Sequence, residues 1–187
     1  VDGGESFANA VAVRQGVLVV GASRFNFSTG AVFVWACDNA PDVDGSWSQL
    51  HHIIAPDAGR WTRFGDRLDA DCDDTRCYML VGAPYDGSHY GAAYVFETAS
   101  PDMGAEWSFS TKLTERVQSM SNLYGGSVAI LAAGVALVGA PVANKAYAYD
   151  RVSGTGVWQE THSFAPPGFD VNTQASLGSG VALAGTS

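Results

Sequence analysis

A short glycine motif recurs three times along the chain and constrains the fold more than any other feature. Its copies read Val-Gly-Ala-Ser or Val-Gly-Ala-Pro and occupy residues 20–23, 81–84 and 138–141. An aromatic run follows each copy, at residues 33–35, 94–96 and 147–149. Self-similarity at a period of tens of residues indicates a repeat architecture in which each copy belongs to one supersecondary unit.

Every unit opens with an aromatic or apolar residue. The openers are Phe7, Phe64, Tyr124 and Leu177, which lie 57, 60 and 53 residues apart. We therefore expect a flexible lead-in at 1–6 and three complete units, at 7–63, 64–123 and 124–176. A fourth unit begins at 177–187, and we expect it to contain only its first strand, over Val181–Ala184.

The periodicity inside each unit is that of β-strands. Phe33 and Trp35 lie two residues apart, as do Tyr94 and Phe96, and small or β-branched residues flank them. Such alternation is typical of half-buried strands, so we expect four strands per unit and no helix. A tryptophan closes each unit and an apolar residue follows six positions later, which predicts one shared strand face for Trp47 and Ile53, Trp107 and Leu113, and Trp158 and Phe164.

Four-stranded units repeated in sequence predict an all-β fold, a β-propeller with antiparallel blades. The chain would supply three complete blades and the start of a fourth, a partial arc of a larger propeller. Propellers close with about four to eight blades, so we expect the chain to be a fragment of a longer polypeptide. A solenoid of stacked strands is the alternative, although its rungs are usually shorter and lack a recurrent closing tryptophan.

The openers and glycine motifs together resemble the FG-GAP repeat, whose best-known members form the propeller head of integrin α subunits. Phe64-Gly65 precedes Val81-Gly82-Ala83-Pro84, and Tyr124-Gly125 precedes Val138-Gly139-Ala140-Pro141. The resemblance covers nearly the whole chain, from Phe7 to Ser187. Ala8 and Ser23 replace the opener glycine and the proline in the first unit. Both are small, so the implied fold is unchanged.

The integrin resemblance also implies calcium in some blades, because acidic loops after the opener strand supply the oxygen ligands that Ca²⁺ needs. Asp69, Asp71 and Asp73 come nearest to this pattern, and alternation would place them on one strand face. Their turn lacks the expected glycine and contains cysteines. We therefore favour a solvated acidic hairpin, with calcium as the alternative and no other cofactor. Asp42 and Asp44 indicate a further acidic turn of the Asx type.

Cysteines and an acceptor triplet indicate the secretory pathway. Cys72 and Cys77 flank the turn between the first two strands of the second unit, where a disulfide would close the hairpin; two reduced thiols are the alternative. Cys37 is left over, which in a secreted protein suggests a partner outside this segment. Asn26-Phe27-Ser28 fits an N-glycosylation acceptor on an exposed loop, although it also fits an ordinary loop asparagine. We expect an extracellular or cell-surface glycoprotein.

Composition excludes several classes of protein. The net charge is −9 and the ten basic residues are scattered, whereas nucleic-acid binding requires clustered Lys and Arg. The hydrophobic share of 47% and the charged share of 16% fit a packed core rather than disorder. No run of eighteen apolar residues occurs, so we expect no transmembrane segment in this portion.

Aromatic loops supply the binding hypothesis. Phe25 and Phe27 in the first unit, and Tyr85, His89 and Tyr90 in the second, lie between the same two predicted strands and should open on one rim. Aromatic loops on a rigid scaffold bind proteins or glycans. Alternatively, these rings pack against their own loops or the neighbouring blade. The corresponding loop of the third unit is short.

We expect a non-catalytic, integrin-like module for adhesion or for assembly of a cell-surface or extracellular structure. Its partners would be other protein chains, the remainder of its own chain, or glycans. A propeller domain of a polysaccharide-acting lyase or hydrolase is the alternative. No catalytic grouping can be placed from the sequence, because adjacent residues such as His51 and His52 point to opposite faces of a strand.

Overall fold

The computed structural model describes residues 6–14, 16–37, 46–117, 121–167 and 177–184. The turn expected at Asp42 and Asp44 lies outside these residues, as does most of the lead-in. Within the described residues, the chain forms twelve β-strands and two four-residue helical turns.

The strands form three four-stranded antiparallel sheets, which confirms the all-β expectation. The first sheet contains β1 (Ala10–Arg14), β2 (Val17–Ala22), β3 (Ala31–Cys37) and β4 (Trp47–Ile53). The second contains β5 (Arg67–Cys72), β6 (Cys77–Ala83), β7 (Ala92–Glu97) and β8 (Ser108–Leu113). The third contains β9 (Ser127–Leu131), β10 (Val135–Ala140), β11 (Lys145–Arg151) and β12 (Trp158–Phe164). Each strand pairs with the next in sequence, so each unit is one meander.

Two helical turns occupy loops in which we expected no helix. They are α1 (Phe25–Ser28) and α2 (Asp86–His89), each placed between the second and third strands of its sheet. Both contain residues with left-handed backbone angles, including Phe27 and Gly87. They are therefore tight loop turns rather than amphipathic helices. This explains why the sequence shows no 3.6-residue periodicity at these loops.

The sheets pack face to face, with their first strands adjacent. β1 contacts β5, and β5 contacts β9. One core lies between the first and second sheets, where Val19 and Val34 meet Val81 and Tyr94. A second core lies between the second and third sheets. The middle sheet is therefore covered on both faces, and every residue of β6 is buried.

Close glycine contacts join each sheet to the next unit. A β-carbon placed on Gly82 would lie 2.2 Å from the carbonyl oxygen of Gly125, and one on Gly21 would lie 2.1 Å from that of Gly65. The contact recurs between Gly139 and Gly178, at 2.1 Å. The glycine of the Gly-Ala motif and the glycine of the next opener are thus two sides of one backbone contact, which explains why both recur.

The shared strand face predicted for each tryptophan and its later apolar partner is wrong. A register shift interrupts the pairing of the third and fourth strands in every sheet, for example between Val95 and Phe96. Such a bulge inserts one residue and reverses the alternation beyond it. Trp107 consequently packs in the core between the first and second sheets, whereas Leu113 packs in the core on the opposite side.

The beginning of the fourth unit differs from the expected strand. The described residues 177–184 form turns and irregular backbone rather than a named strand. Gly178 nevertheless occupies the position of an opener glycine, because its carbonyl oxygen lies 2.1 Å from a β-carbon placed on Gly139, as in the two earlier contacts. A strand needs a hydrogen-bonded neighbour, and no pairing involves residues 181–184 among those described.

Candidate binding rim

Loops and connectors meet along one edge of the sheets, which we call the rim. The rim comprises the loops 23–30 and 84–91 and the connectors 54–63, 114–117 and 121–123. Trp61 N donates to the Phe27 carbonyl oxygen at 3.3 Å, and Ser121 N donates to that of His89 at 3.0 Å. Each loop is therefore hydrogen-bonded to the connector that leads into the next unit.

The rim backbone is held in an uncommon conformation. The first connector has φ of 69° at Trp61 and 55° at Arg63, and the second has 66° at Ser121 and 53° at Leu123. Non-glycine residues in this region cost about 1–3 kcal/mol each and persist only where surrounding contacts impose them. Because the same angles recur sixty residues apart, the repeat itself imposes the conformation, and the rim is a preformed scaffold.

The aromatic residues of the first loop have different environments. Phe25 is half-buried, and its ring lies 5.6 Å from that of Phe33 and 5.4 Å from that of His52. Phe27 is exposed, and the Arg60 guanidinium lies 4.8 Å from its ring centre. Phe25 therefore packs on its own sheet, as the alternative interpretation held, while Phe27 is available at the surface.

The second loop presents a half-buried ring beside exposed residues. The Arg63 guanidinium lies 4.2 Å from the Tyr85 ring centre, and the His89 ring lies 5.2 Å from it. His89 is exposed and Tyr90 is half-buried. In the third sheet the corresponding connection is a four-residue turn over 141–144, so the three loops differ in length along the rim.

A cleft of about 670 Å³ opens in the rim beside the second loop. One wall is the connector 57–62 and the other is the loop 85–89, with Lys112 of β8 between them. Trp61, which the sequence analysis did not single out, lines this cleft with 64% of its surface exposed. The connector carried no motif of its own, so only its proximity to the loop in the folded chain shows that Trp61 belongs to the rim.

An ion-paired network holds the two walls together. Lys112 Nζ lies 2.6 Å from Asp57 Oδ2 and 2.7 Å from Asp86 Oδ2. The Tyr94 hydroxyl donates to Asp57 Oδ1 at 2.8 Å. Lys112 therefore ties the connector, the loop and the outer strand of the second sheet to one another.

The pKa values of the network reflect these contacts. Partial burial opposes ionisation of Asp57, but hydrogen bonds from Lys112 and Tyr94 outweigh it, so the pKa of Asp57 is lowered. Burial opposes the charge on Lys112 as well, yet its bonds to Asp57 and Asp86 raise the pKa of Lys112. Burial and then the bond to Asp57 raise the pKa of Tyr94. The ion pair between Asp57 and Lys112 is therefore complete at neutral pH.

We expect Asp57→Asn to reduce the acid sensitivity of the fold. The folded pKa of Asp57 lies below its ordinary value of 3.8. Ionised Asp57 thus stabilises the fold above that ordinary value, and the contribution disappears as pH falls through the lowered pKa. Urea unfolding at about pH 7 and about pH 3 measures the change. The variant should lose less stability between them than the parent chain, and Asp150→Asn, at an exposed position on β11, is the control.

A similar network recurs one unit later. Tyr147 occupies the register position of Tyr94, and its hydroxyl donates to Glu115 Oε1 in the second connector. The hydroxyls of Tyr124 and Tyr149 lie 2.6 Å apart in the same core. Burial raises the pKa of Tyr149 to about 12. A connector carboxylate bound to a tyrosine of the third strand is thus a repeated feature, whereas the lysine bridge is described only at the cleft.

The structure does not bring the three calcium candidates together. Asp69 Oδ2 accepts a hydrogen bond from Ile130 N at 2.9 Å, and Asp71 Oδ2 accepts one from Ala132 N at 3.0 Å. Both carboxylates therefore satisfy backbone groups at the neighbouring strand β9. Asp73 lies in the β5–β6 turn, where Oδ1 accepts from Thr75 N at 2.7 Å. Within the described residues, no group of three or more potential metal ligands converges.

The cysteines and the acceptor asparagine occupy the expected places. Cys72 and Cys77 are joined in a disulfide across the β5–β6 turn, where they are directly paired. Cys37 is the last residue of β3 and is half-buried. Asn26 lies exposed in α1, so its side chain is accessible to glycosylation, which stays a prediction.

Comparison with known proteins identifies the repeat. Residues 47–96 match the FG-GAP repeat family, which confirms the resemblance over the stretch from β4 to β7. The similarity to this repeat is therefore established for residues 47–96. No curated protein matches the chain. In the described part of the chain, no helix has the length and apolar character of a membrane span.

Proposed function

We propose that the chain is part of an integrin-like FG-GAP β-propeller, a non-catalytic extracellular module. It would support adhesion, or the assembly of a cell-surface or extracellular structure, through protein or glycan contacts at the rim. The observation that carries this proposal is the cleft, in which an exposed tryptophan stands on a preformed backbone tied by ion pairs. A rigid scaffold that presents aromatic loops is a common basis for binding.

The two outermost sheet faces support the propeller. Val11 of the first sheet is 59% exposed, whereas Leu68 at the same register position of the second sheet is 9% exposed. On the far face of the third sheet, Leu137 is half-buried, whereas the equivalent Val19 is fully buried. Each outer face thus carries apolar residues whose equivalents elsewhere in the structure are covered by a neighbouring sheet. A further sheet of the same repeat would cover each, contributed by the remainder of the chain or by another chain.

The extracellular location is supported by the hairpin disulfide and by the exposed acceptor at Asn26. Disulfides persist in oxidising compartments and are rare in the cytosol. A chain that passes through the secretory pathway would also meet the enzymes that glycosylate Asn-x-Ser triplets. Mass measurement of the natural protein before and after enzymatic deglycosylation tests this expectation at Asn26.

The non-catalytic role is supported by the state of the cleft carboxylates. Asp57 and Asp86 are both paired with Lys112. A carboxylate with a lowered pKa, as at Asp57, is a poor general acid near neutral pH. A lyase or hydrolase needs at least one group with a pKa tuned toward the working pH. The ion pairs favour positioning and binding over proton transfer.

An adhesion assay with the natural protein tests the proposal. Beads coated with the intact protein are incubated with its natural cell surface or extracellular matrix, with and without calcium. We expect the beads to be retained while the chain length of the matrix polysaccharides stays constant. Shortened polysaccharide would instead support the enzyme alternative, and beads that are not retained would contradict the adhesive role.

A further inference from the structure

We propose that the cleft between residues 57–62 and 85–89 binds a neutral oligosaccharide, with the Trp61 indole stacked against the face of a sugar ring. The inference rests on the proposed binding role and names the ligand class of the same cleft. It depends on three observations: an exposed ring that the fold does not require, polar groups beside it, and a balance of charge.

The backbone conformation at position 61 does not require a tryptophan. The equivalent residue of the next connector is Ser121, which has nearly the same φ, 66° against 69°. Both residues donate their N–H to the neighbouring loop. A serine therefore satisfies the structural requirements of this position. The indole adds a large, exposed aromatic face at the cleft, a surface that can stack against the apolar side of a ligand.

Polar groups suited to sugar hydroxyls lie beside the ring. The side chain of Asp57 is 51% exposed, so its carboxylate retains room to accept hydrogen bonds from a ligand. Arg60 and Ser88, both exposed, line the same cleft and offer donors. Pyranose rings combine an apolar C–H face with a perimeter of hydroxyl groups. An indole next to donors and acceptors matches both parts of such a ligand.

Charge favours a neutral ligand over an anionic one. The lining contains two carboxylates, Asp57 and Asp86, against Lys112 and Arg60. Both carboxylates already neutralise Lys112, and Arg60 is stacked over Phe27. The two carboxylates and two cations of the lining therefore balance, so the cleft has no excess of positive charge to attract a uronate or a sulfate. The net charge of −9 further opposes the approach of anionic polymers.

The shape of the cleft suits a short chain of sugars. Its volume of about 670 Å³ lies inside the range of known small-molecule sites, about 300–1,000 Å³. The cleft opens toward solvent along the rim, so a ligand can enter with its ends free. Ion pairs from Lys112 fix the distance between the two walls, which limits the rearrangement that binding requires.

The test compares Trp61→Ser with the parent protein, both as intact natural-length chains. Isothermal titration calorimetry against neutral oligosaccharides (gluco, manno, galacto and xylo series) measures binding, with hyaluronate and heparin as anionic comparisons. We expect a neutral oligosaccharide to bind, and Trp61→Ser to weaken that binding at least about tenfold without a change in melting temperature. Val117→Ser, at an exposed position of the second connector, is the matched control and should bind like the parent.

The adhesion assay separates this inference from the proposed function. Periodate oxidation of the matrix sugars should abolish bead retention if the ligand is a glycan. Retention that survives periodate and is unchanged in Trp61→Ser overturns the inference and leaves the adhesive role intact. Anionic polymers that bind more tightly than every neutral oligosaccharide also overturn it. Beads that are never retained overturn the proposed function itself.

Discussion

Gly82→Ala should destabilise the protein by about 3 kcal/mol or more. The new methyl group would lie 2.2 Å from the Gly125 carbonyl oxygen and 3.2 Å from its carbonyl carbon. These atoms belong to the backbone, so relief requires that the second and third sheets separate. Separation opens the core on that side, which contains Leu80, Tyr124 and Val138. Urea unfolding followed by tryptophan fluorescence measures the loss.

Gly180→Ala is the matched control for this substitution. No atom lies within 4 Å of a β-carbon at that position, so the change in stability should stay within about 0.5 kcal/mol. Equal effects at Gly82 and Gly180 would show that the glycine contact does not hold the sheets at their observed separation.

Phe64→Ala should cost about 3–5 kcal/mol, the usual range for a buried aromatic residue. The Phe64 side chain is fully buried. Its ring lies 5.4 Å from that of Tyr94 and 6.0 Å from that of Phe96, in edge-on arrangements. Truncation leaves a cavity between the first two sheets and removes these ring contacts together. Thermal and urea unfolding should both show the loss.

The control for Phe64→Ala is Phe109→Ala. Phe109 contacts the Phe96 ring at 5.8 Å but lies on the outer strand β8 and is 45% exposed. Its truncation should cost about 1 kcal/mol. If the two variants were equally stable, the opener residue would not be the centre of the packing between the first two sheets.

The repeat made the strands and their order predictable. Three copies of one pattern, each with period-two alternation, leave little choice but three similar sheets. The opener glycines at 65, 125 and 178 were also informative, because a recurring glycine marks a positive φ or a close backbone contact. The pattern did not show that Gly82 and Gly125 contact each other, because this contact forms only when two units pack together.

Positions beyond each bulge were not predictable from alternation. The six-residue spacing between Trp107 and Leu113 suggested that both lie on one strand face. A single extra residue at the bulge instead places them on opposite faces. No residue type marks the bulge in the sequence. The same limitation applies to α1 and α2, where left-handed residues such as Asn26 form turns that carry no hydrophobic periodicity.

The openers illustrate a dependence between units that only the structure explains. Phe64 packs against Phe96, and Tyr124, the equivalent opener, places its hydroxyl 2.6 Å from that of Tyr149. Phe96 and Tyr149 hold the same register position. Aromatic residues thus change together, because a buried hydroxyl needs a partner.

The candidate site was predicted only in part. Loop position identified Phe27, Tyr85 and His89, because both loops follow the same motif. Trp61 and Lys112 come from a connector and an outer strand and approach the loop only in three dimensions. Asp69 and Asp71 were predicted to share a face, and both do reach β9, but they accept backbone hydrogen bonds there that sequence patterns do not reveal.

A three-dimensional reconstruction of the natural protein by electron cryomicroscopy tests whether the sheets are blades of a propeller. We expect a further four-stranded sheet against the Val11 face of the first sheet and another against the Leu137 face of the third. The first strands of all the sheets should surround one axis, and the cleft at Trp61 should open on the rim. A reconstruction in which the Val11 face meets solvent, or in which the sheets stack without a common axis, would contradict the propeller.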